Sequence, residues 1–401
     1  MSPTTNTGHL QQHSQPFHTE DPNRQYIYLA ETTPHIATIL GFPSHCSTFP
    51  ALHERTCSEI VDLAGTIATF EPVRLHVRPE DHAHAQALVS QRMAHAPLAQ
   101  QSRITLIPCA TNHCWVRDTG PVYVHGATDH KRYAIDFRFC EWGNKISEPI
   151  YTGNADTAAD WPLMDAARRQ ENTDFAARVL ALENAALAPG QPLVTRVPSA
   201  VRLEGGGIEL DGEGTFLATE SSVVGPARNA GLSRADIETE LRRLLGVRTF
   251  IWIPGRVGLD ITDCHIDAEA RFVRPGVVVV CKPHPRCERV YWDMYHEMRA
   301  VLDGAMDARG RRLEIHDVQE PDPALVKGDV PGEEAAPAAS YVNFYFVNGG
   351  LVMPAFGDAE ADRKAFELLQ RLVPEREVRQ VAVNALPRTG GVLHCVTQQV
   401  L

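Results

Sequence analysis

Four positions in the chain set reactive side chains where a strand or a glycine-rich turn could hold them. In "CWVRDTGPVYV", Cys114 to Val124, the apolar residues read as a buried strand, yet Arg117 and Asp118 interrupt it. Either those two form an internal ion pair closing the Thr-Gly-Pro turn, or Asp118 is kept for a cation that the chain does not supply. In "RLEGGGIELDGEGTFLAT", Glu204 precedes three glycines and Asp211-Gly212 reads as a tight hairpin. Glycine permits close backbone approach, so Glu204 is either a surface acid or a carboxylate aimed into a cavity. In "DITDCHIDAEARF", a strand would project His265 and Asp267 from one face. An imidazole beside a carboxylate can divide proton transfer and cation binding; a structural or surface pair is the alternative. In "TGGVLHCVTQQVL", Gly390-Gly391 enters what reads as an apolar strand, with Cys395 near its end beside His394. Cys395 is either a small buried hydrophobe or, if its thiolate is stabilised, a nucleophile. Zinc is the competing use of Cys and His. No Cys-x2-Cys occurs, and "CKPHPRC" (281–287) offers three ligands without a fourth, so no metal is expected.

The elements that must position these groups alternate along the chain. Runs such as "ITLIPC" (104–109), "PVYVH" (121–125), "YAIDFRF" (133–139), "TFLAT" (215–219), "TFIWIP" (249–254), "GVVVVC" (276–281), "NFYFV" (343–347) and "VRQVAV" (378–383) predict strands. Helical patterns lie between them. In "SRADIETELRRLL" (233–245), Ser233 and Asp236 form a capping box and Ile237, Leu241, Leu244 and Leu245 share a face. "DAEADRKAFELLQRLVP" (358–374) starts at Asp358 as N-cap and stops at Pro374. Segments 151–174 and 319–339 read as surface excursions. No strict repeat and no phosphate-binding glycine loop is visible. Alternating strands and helices without a dividing linker predict one α/β domain.

Composition narrows the function classes. The 401 residues are 43% hydrophobic, enough for a large core, and the net charge of −12 repels nucleic acid and anionic membranes while suiting a cationic ligand. Nine cysteines without a disulfide framework imply reduced thiols and a cytoplasmic setting. Residues 1–25 are polar and lack the apolar run of a signal peptide or anchor, so they read as a disordered tail.

Taken in order, "WVRDTGP", "EGGGIELDGEGT", "HID", "SYVNFYFVNGG", "MPAFGD" and "GGVLHCVTQQ" resemble the signature segments of the agmatine deiminase/bacterial-type peptidylarginine deiminase family. That family belongs to the guanidino-group-modifying superfamily. The resemblance runs from roughly residue 100 to the C-terminus and is weaker upstream. It implies a pentein fold for residues 26–401: five ββαβ-type modules around a pseudo-fivefold axis, with the active site in the central channel. By motif position, Cys395 is the nucleophile, His265 the general acid/base, and Asp118 and Asp267 the carboxylates that grip a guanidinium. Glu204 and Asn343 are supporting polar groups, Arg117 fixes Asp118 from behind, and Trp115 forms an apolar wall. A guanidinium is planar and stays protonated, which suits directional binding by paired carboxylates.

The implied reaction is hydrolysis of a guanidine through a covalent thiouronium on Cys395, releasing ammonia and then a ureido product, with no cofactor. Agmatine is the first expected substrate, and the partner is accordingly a small cationic guanidine. Peptidyl-arginine, free arginine or another arginine-derived guanidine, transfer of the amidino group to an amine, and a non-catalytic binder are the alternatives. A homo-oligomer is left open. Cys264, Ala268-Glu269 and Cys140 depart from the family's usual residues, Cys264 standing where glycine is common.

Overall fold

The structure, a computed structural model, describes residues 24–45, 48, 51–145, 165–326 and 337–401. Most of the expected polar tail, part of the 151–174 segment and the middle of 319–339 lie outside the described residues.

Five sheets carry the described chain, and one plan recurs in each. An inner strand runs antiparallel to a middle strand, which is followed by a helix and then an outer strand parallel to the middle one. Thr215–Thr219 pairs antiparallel with Glu209–Leu210 and, beyond the helix Arg234–Leu245, parallel with Thr249–Ile253. Val277–Lys282 pairs in the same way with Ala270–Arg274 and, beyond Arg289–Gly304, with Glu314–Gln319. Gly350–Ala355 pairs with Tyr345–Val347 and, beyond Ala359–Leu372, with Glu377–Ala382. Arg132–Asp136 pairs with Val122–Gly126 and, beyond Phe175–Ala185, with Thr195–Pro198, and Tyr26–Ile27 adds an edge strand. In the remaining sheet the two ends of the chain meet. Thr397–Val400 is the antiparallel neighbour of Ala37–Gly41, which pairs parallel with Val73–Val77 after the helix His53–Ala68; Ile104–Pro108 extends that sheet. The repeat invisible in the sequence is therefore plain in the strand order.

Local signals account for the helices. Ser233 and Asp236 form the expected capping box, Ile237, Leu241, Leu244 and Leu245 are the buried residues of that helix, and Gly246 ends it at φ 70°, in the left-handed region that glycine tolerates. Asp358 caps the 359–372 helix by accepting from the backbone of Ala361. At the described end of the expected surface excursion over 151–174, Ala166–Thr173 is a helix that lies largely at the surface, with Asn172 alone buried, where its side chain meets Glu141. The middle strand Val277–Lys282 is apolar and buried over Val277–Cys281, as a strand covered on both faces must be.

The sheet plan fixes where polar residues can enter the interior. Each outer strand is followed along the chain by the inner strand of the next sheet, and the described residues just before each inner strand form short turns, the crossings, rather than strands. They comprise Val116–Thr119, Gly205–Gly207, Ile266–Glu269, the residues before Tyr345, and the residues before Thr397.

Candidate active site

All five crossings deliver polar side chains to one place, and the bare Cα of Gly206 marks its centre. A Cβ built on Gly206 would lie 2.7 Å from His265 Nδ1, 2.8 Å from Asp118 Oδ1 and 3.0 Å from Asp267 Oδ2. Glycine is required there by space, since any side chain would occupy the point on which three ionisable groups converge. Cys395 Sγ lies 3.6 Å from Asp267 Oδ2 and 3.3 Å from Asn343 Nδ2. Gly391 has the same role beside the thiol, where an added Cβ would meet Trp115 at 2.7 Å and Cys395 Sγ at 3.1 Å. Trp115 thus flanks the thiol.

The local geometry corrects several expectations. Residues 116–119 form one helical turn, not part of a strand, because the chain must bend from one sheet to the next. Arg117 and Asp118 consequently diverge, and the internal ion pair does not form. Arg117 donates to Glu31 Oε2 at 3.0 Å, Gln399 Oε1 at 2.8 Å and the His394 carbonyl at 3.3 Å. It therefore fixes the segment carrying Cys395 rather than Asp118. Asp118 is held instead by the Gly206 amide (3.0 Å) and by the Trp142 indole N–H (2.9 Å). His265 and Asp267 do not share a strand face either. His265 precedes the helical turn Ile266–Glu269, and Asp267 lies within it. Cys395 sits in the turn before Thr397–Val400, not in a strand. Cys264 has φ 66°, so strand alternation says nothing of its direction; its thiol faces the Arg256 carbonyl at 3.4 Å.

Glu204 is buried, as the cavity reading expects. It receives the Arg228 guanidinium (2.7 Å) and faces His265 Nε2 at 3.2 Å, while Arg228 also pairs with Asp263 (2.8 Å). Asn343 is a hub: its amide donates to the Asp267 carbonyl (3.1 Å) and its oxygen accepts from the amides of His394 (2.9 Å) and Cys395 (3.3 Å). The thiols of "CKPHPRC", weighed as zinc ligands, face the two oxygens of Glu320 at 3.4 and 3.3 Å. Among the described residues, no group of three or more His, Cys, Asp and Glu is arranged to hold a metal ion.

Burial and charge set the protonation states. Burial works against a charged His265, but Asp118, Glu204 and Asp267 outweigh it and raise its pKa to about 9. Burial, together with Asp267 and Asp118, pushes the Cys395 thiol well above its ordinary range. Burial also raises Asp118, against the pull of His265. For Asp267 the burial penalty is overcome by His394, His265 and Arg271, and its carboxyl lies below the usual range. At neutral pH the site thus holds a cationic imidazole, a neutral thiol, and a carboxylate with spare capacity: Asp267 Oδ1 is buried and unpaired among the described residues.

Several residues here escaped the sequence reading. Trp142 carries no periodic signal, and it reaches Asp118 through an unusual backbone in which Glu141, Trp142, Gly143 and Asn144 have φ of 53°, 51°, 87° and 64°. Left-handed conformation costs roughly 1–2 kcal/mol per non-glycine residue. It is held by Glu141, whose carboxylate meets His113 (2.9 Å) and Asn172 (2.6 Å). Glu31 lies upstream of the signature segments, and Gly206 and His394 lie within them without an expected role. The glycine run was the only usable signal among them.

Comparison with known proteins gives the class, that of the hydrolytic guanidine-modifying enzymes. The chain belongs to the Porphyromonas-type peptidyl-arginine deiminase family, whose pattern matches residues 27–400. It is 32% identical over 394 residues to an agmatine deiminase of Stutzerimonas stutzeri, covering 95% of this chain and 97% of that one. It is also 32% identical over 389 residues to an agmatine deiminase of Ectopseudomonas mendocina, covering 92% and 94%. The structure of the agmatine deiminase of Enterococcus faecalis superposes with a TM-score of 0.78 over 94% of this chain and 96% of that one, at 24% identity, a likeness of fold.

Proposed function

We propose that this protein is a cysteine-dependent deiminase that hydrolyses agmatine to N-carbamoylputrescine and ammonia. The observation that carries the reading is the convergence of Cys395, Asp267, Asp118 and His265 on the point above Gly206. Two carboxylates there suit a planar guanidinium, and the nucleophile stands beside one of them, as positioned attack requires. Arrival of the cation offsets the negative charge that holds Cys395 protonated, the thiol releases its proton to solvent, and the thiolate attacks the guanidinium carbon. His265, already cationic, gives its proton to the departing nitrogen, and ammonia leaves from a thiouronium on Cys395. The now neutral His265 takes a proton from water as its oxygen attacks the same carbon, the C–S bond breaks, and the ureido product is released with the thiol and the imidazolium restored. Glu204 maintains the charge of His265, Asn343 orients the thiol, and Trp115 walls the cradle.

The five like sheets support a pentein arrangement in which they surround this site as blades, and a single catalytic domain spanning residues 26–401. The eight described cysteines are free, which supports a reducing, cytoplasmic setting, and no described helix is long and apolar enough to cross a membrane. The reading is tested by incubating the protein with agmatine, arginine and a blocked arginyl peptide and measuring ammonia and ureido product. Agmatine should be turned over fastest. Ammonia from the peptide or from arginine alone would assign a different guanidine, and no ammonia from any would refute the deiminase.

A further inference from the structure

The mechanism above leaves one buried imidazole at the site unused. His394 precedes the nucleophile, is 2% exposed, and directs each ring nitrogen at a carboxylate: Nδ1 lies 2.8 Å from Asp267 Oδ2 and Nε2 lies 2.9 Å from Glu31 Oε2. Its backbone is pinned on both sides, the amide donating to Asn343 Oδ1 (2.9 Å) and the carbonyl accepting from Arg117 Nε (3.3 Å). Glu31, at the far end of the ring, is itself held by Arg117 (3.0 Å), Arg271 (3.1 Å) and the Phe346 amide (2.9 Å). The ring is therefore a strut between a fixed anchor and Asp267.

We propose that His394 is a positioning residue that holds Oδ2 of Asp267 and so fixes the carboxylate at the point above Gly206 where the guanidinium would lie. The proposal rests on the guanidine reading above. Oδ1 of Asp267 is buried, belongs to a fully buried side chain, and has no partner among the described residues, whereas Oδ2 is met by the ring and lies 3.6 Å from Cys395 Sγ. A buried carboxylate oxygen without a donor is unfavourable, and the Nδ1 donor spares Oδ2 that cost. Without the Nδ1 donor the carboxyl could rotate and set either oxygen against the thiol. A neutral imidazole owns only one N–H, so the strut requires that proton, or one of two protons, on Nδ1.

Two isosteres separate positioning from filling space. In His394→Asn the amide nitrogen takes the place of Nδ1 and can still donate to Asp267. In His394→Gln it takes the place of Nε2 and serves only Glu31. The readouts are the KM and kcat for agmatine, and the ratio of Cys395 alkylation rates by a cationic haloacetamidine and by neutral iodoacetamide. His394→Asn should keep the amidine preference within about threefold of wild type, while His394→Gln should lose it by roughly tenfold or more and raise KM by a similar factor. Equal losses in the two variants, or a better-preserved Gln variant, would overturn the proposal. Long-range 1H–15N spectra of histidine-labelled wild-type protein decide the matter without a substitution. The ring nitrogen facing Asp267 must carry a proton, and a tautomer with its lone pair there refutes the strut even if both variants misfold. Absence of turnover and of amidine preference in the wild type would instead refute the guanidine reading, with the tautomer result still standing by itself.

Discussion

Asp118→Asn tests the site with the smallest change of shape. The carboxylate accepts from the Gly206 amide at 3.0 Å through Oδ1 and from the Trp142 indole at 2.9 Å through Oδ2, and His265 Nδ1 lies 3.7 Å away. An asparagine amide can accept at only one end, so its NH2 must face one of those two N–H groups. It also brings no charge to the substrate. A hydrogen bond to a charged group contributes roughly 1.5–3 kcal/mol, and truncating one partner of a buried charge pair costs roughly 2–5 kcal/mol. At about 1.4 kcal/mol per tenfold, kcat/KM should fall by about two orders of magnitude or more. A second effect is independent of the first. Asp118 is the strongest of the charges that lift His265 to about 9 against its burial, so its removal must lower that pKa. Since kcat/KM reports the free enzyme, the alkaline limb of its pH profile should stand near 9 in the wild type and move toward neutrality in the variant. The assay is ammonia and ureido release from agmatine across that range, with thermal denaturation run in parallel to separate lost chemistry from lost fold. Near-normal turnover, or a reduced rate with an unmoved alkaline limb, would refute the role given to Asp118.

Gly206→Ala should abolish guanidine binding with the fold intact, because the backbone there is not left-handed and the new methyl would lie within 3.0 Å of three site atoms; calorimetric binding of agmatine to the Cys395→Ser protein with and without Gly206→Ala checks this. Cys395→Ser itself should eliminate turnover, since a hydroxyl without an adjacent strong base is a poor nucleophile. Cys264→Gly should retain turnover and lose little stability, the relief of a left-handed non-glycine residue (φ 66°) offsetting the lost packing, and peptide mapping after haloacetamidine treatment should find the label on Cys395 alone. His265 also links stability to pH. Its folded pKa of about 9 exceeds the ordinary 6.5, so its contribution is fully present below 6.5 and is lost as pH rises through 9. Denaturation midpoints should fall across that window, and His265→Asn should flatten the fall.

The sequence was legible where burial follows a period. "TFLAT" lies on the strand Thr215–Thr219 residue for residue, and the capping box at Ser233 marks its helix, because one repeating environment shapes every residue in each element. The crossings broke the rule. Val116 and Ile266 are fully buried, yet the apolar cover comes from neighbouring sheets rather than from a strand's own faces, so a buried apolar residue there carried no information about period. The strand argument for His265 and Asp267 reached the right company by the wrong geometry, a helical turn. The supports of the site were illegible for another reason. Trp142 to Asp118, Arg228 to Glu204 and Glu31 to His394 are contacts between distant segments, and nothing in the residues themselves names the partner.

The electrostatics of the resting site also bear on selectivity. The two carboxylates that would bind a guanidinium are the ones that, with burial, keep the Cys395 thiol protonated. A neutral ligand entering the cradle would leave that repulsion in place, and it would find an unreactive thiol beside a cationic imidazole. A planar cation removes the repulsion by occupying the space above Gly206 between Asp118 and Asp267, which is the position from which its carbon can be attacked. In the proposed reaction, recognition and activation are therefore one event, because the charge that would bind the ligand is the charge that would release the thiolate. The site does not need a neutral imidazole beside Cys395, whose thiol faces the Asp267 carboxylate at 3.6 Å. His265 is kept protonated by Asp118 and Glu204, and so is ready to act first as an acid toward the leaving nitrogen.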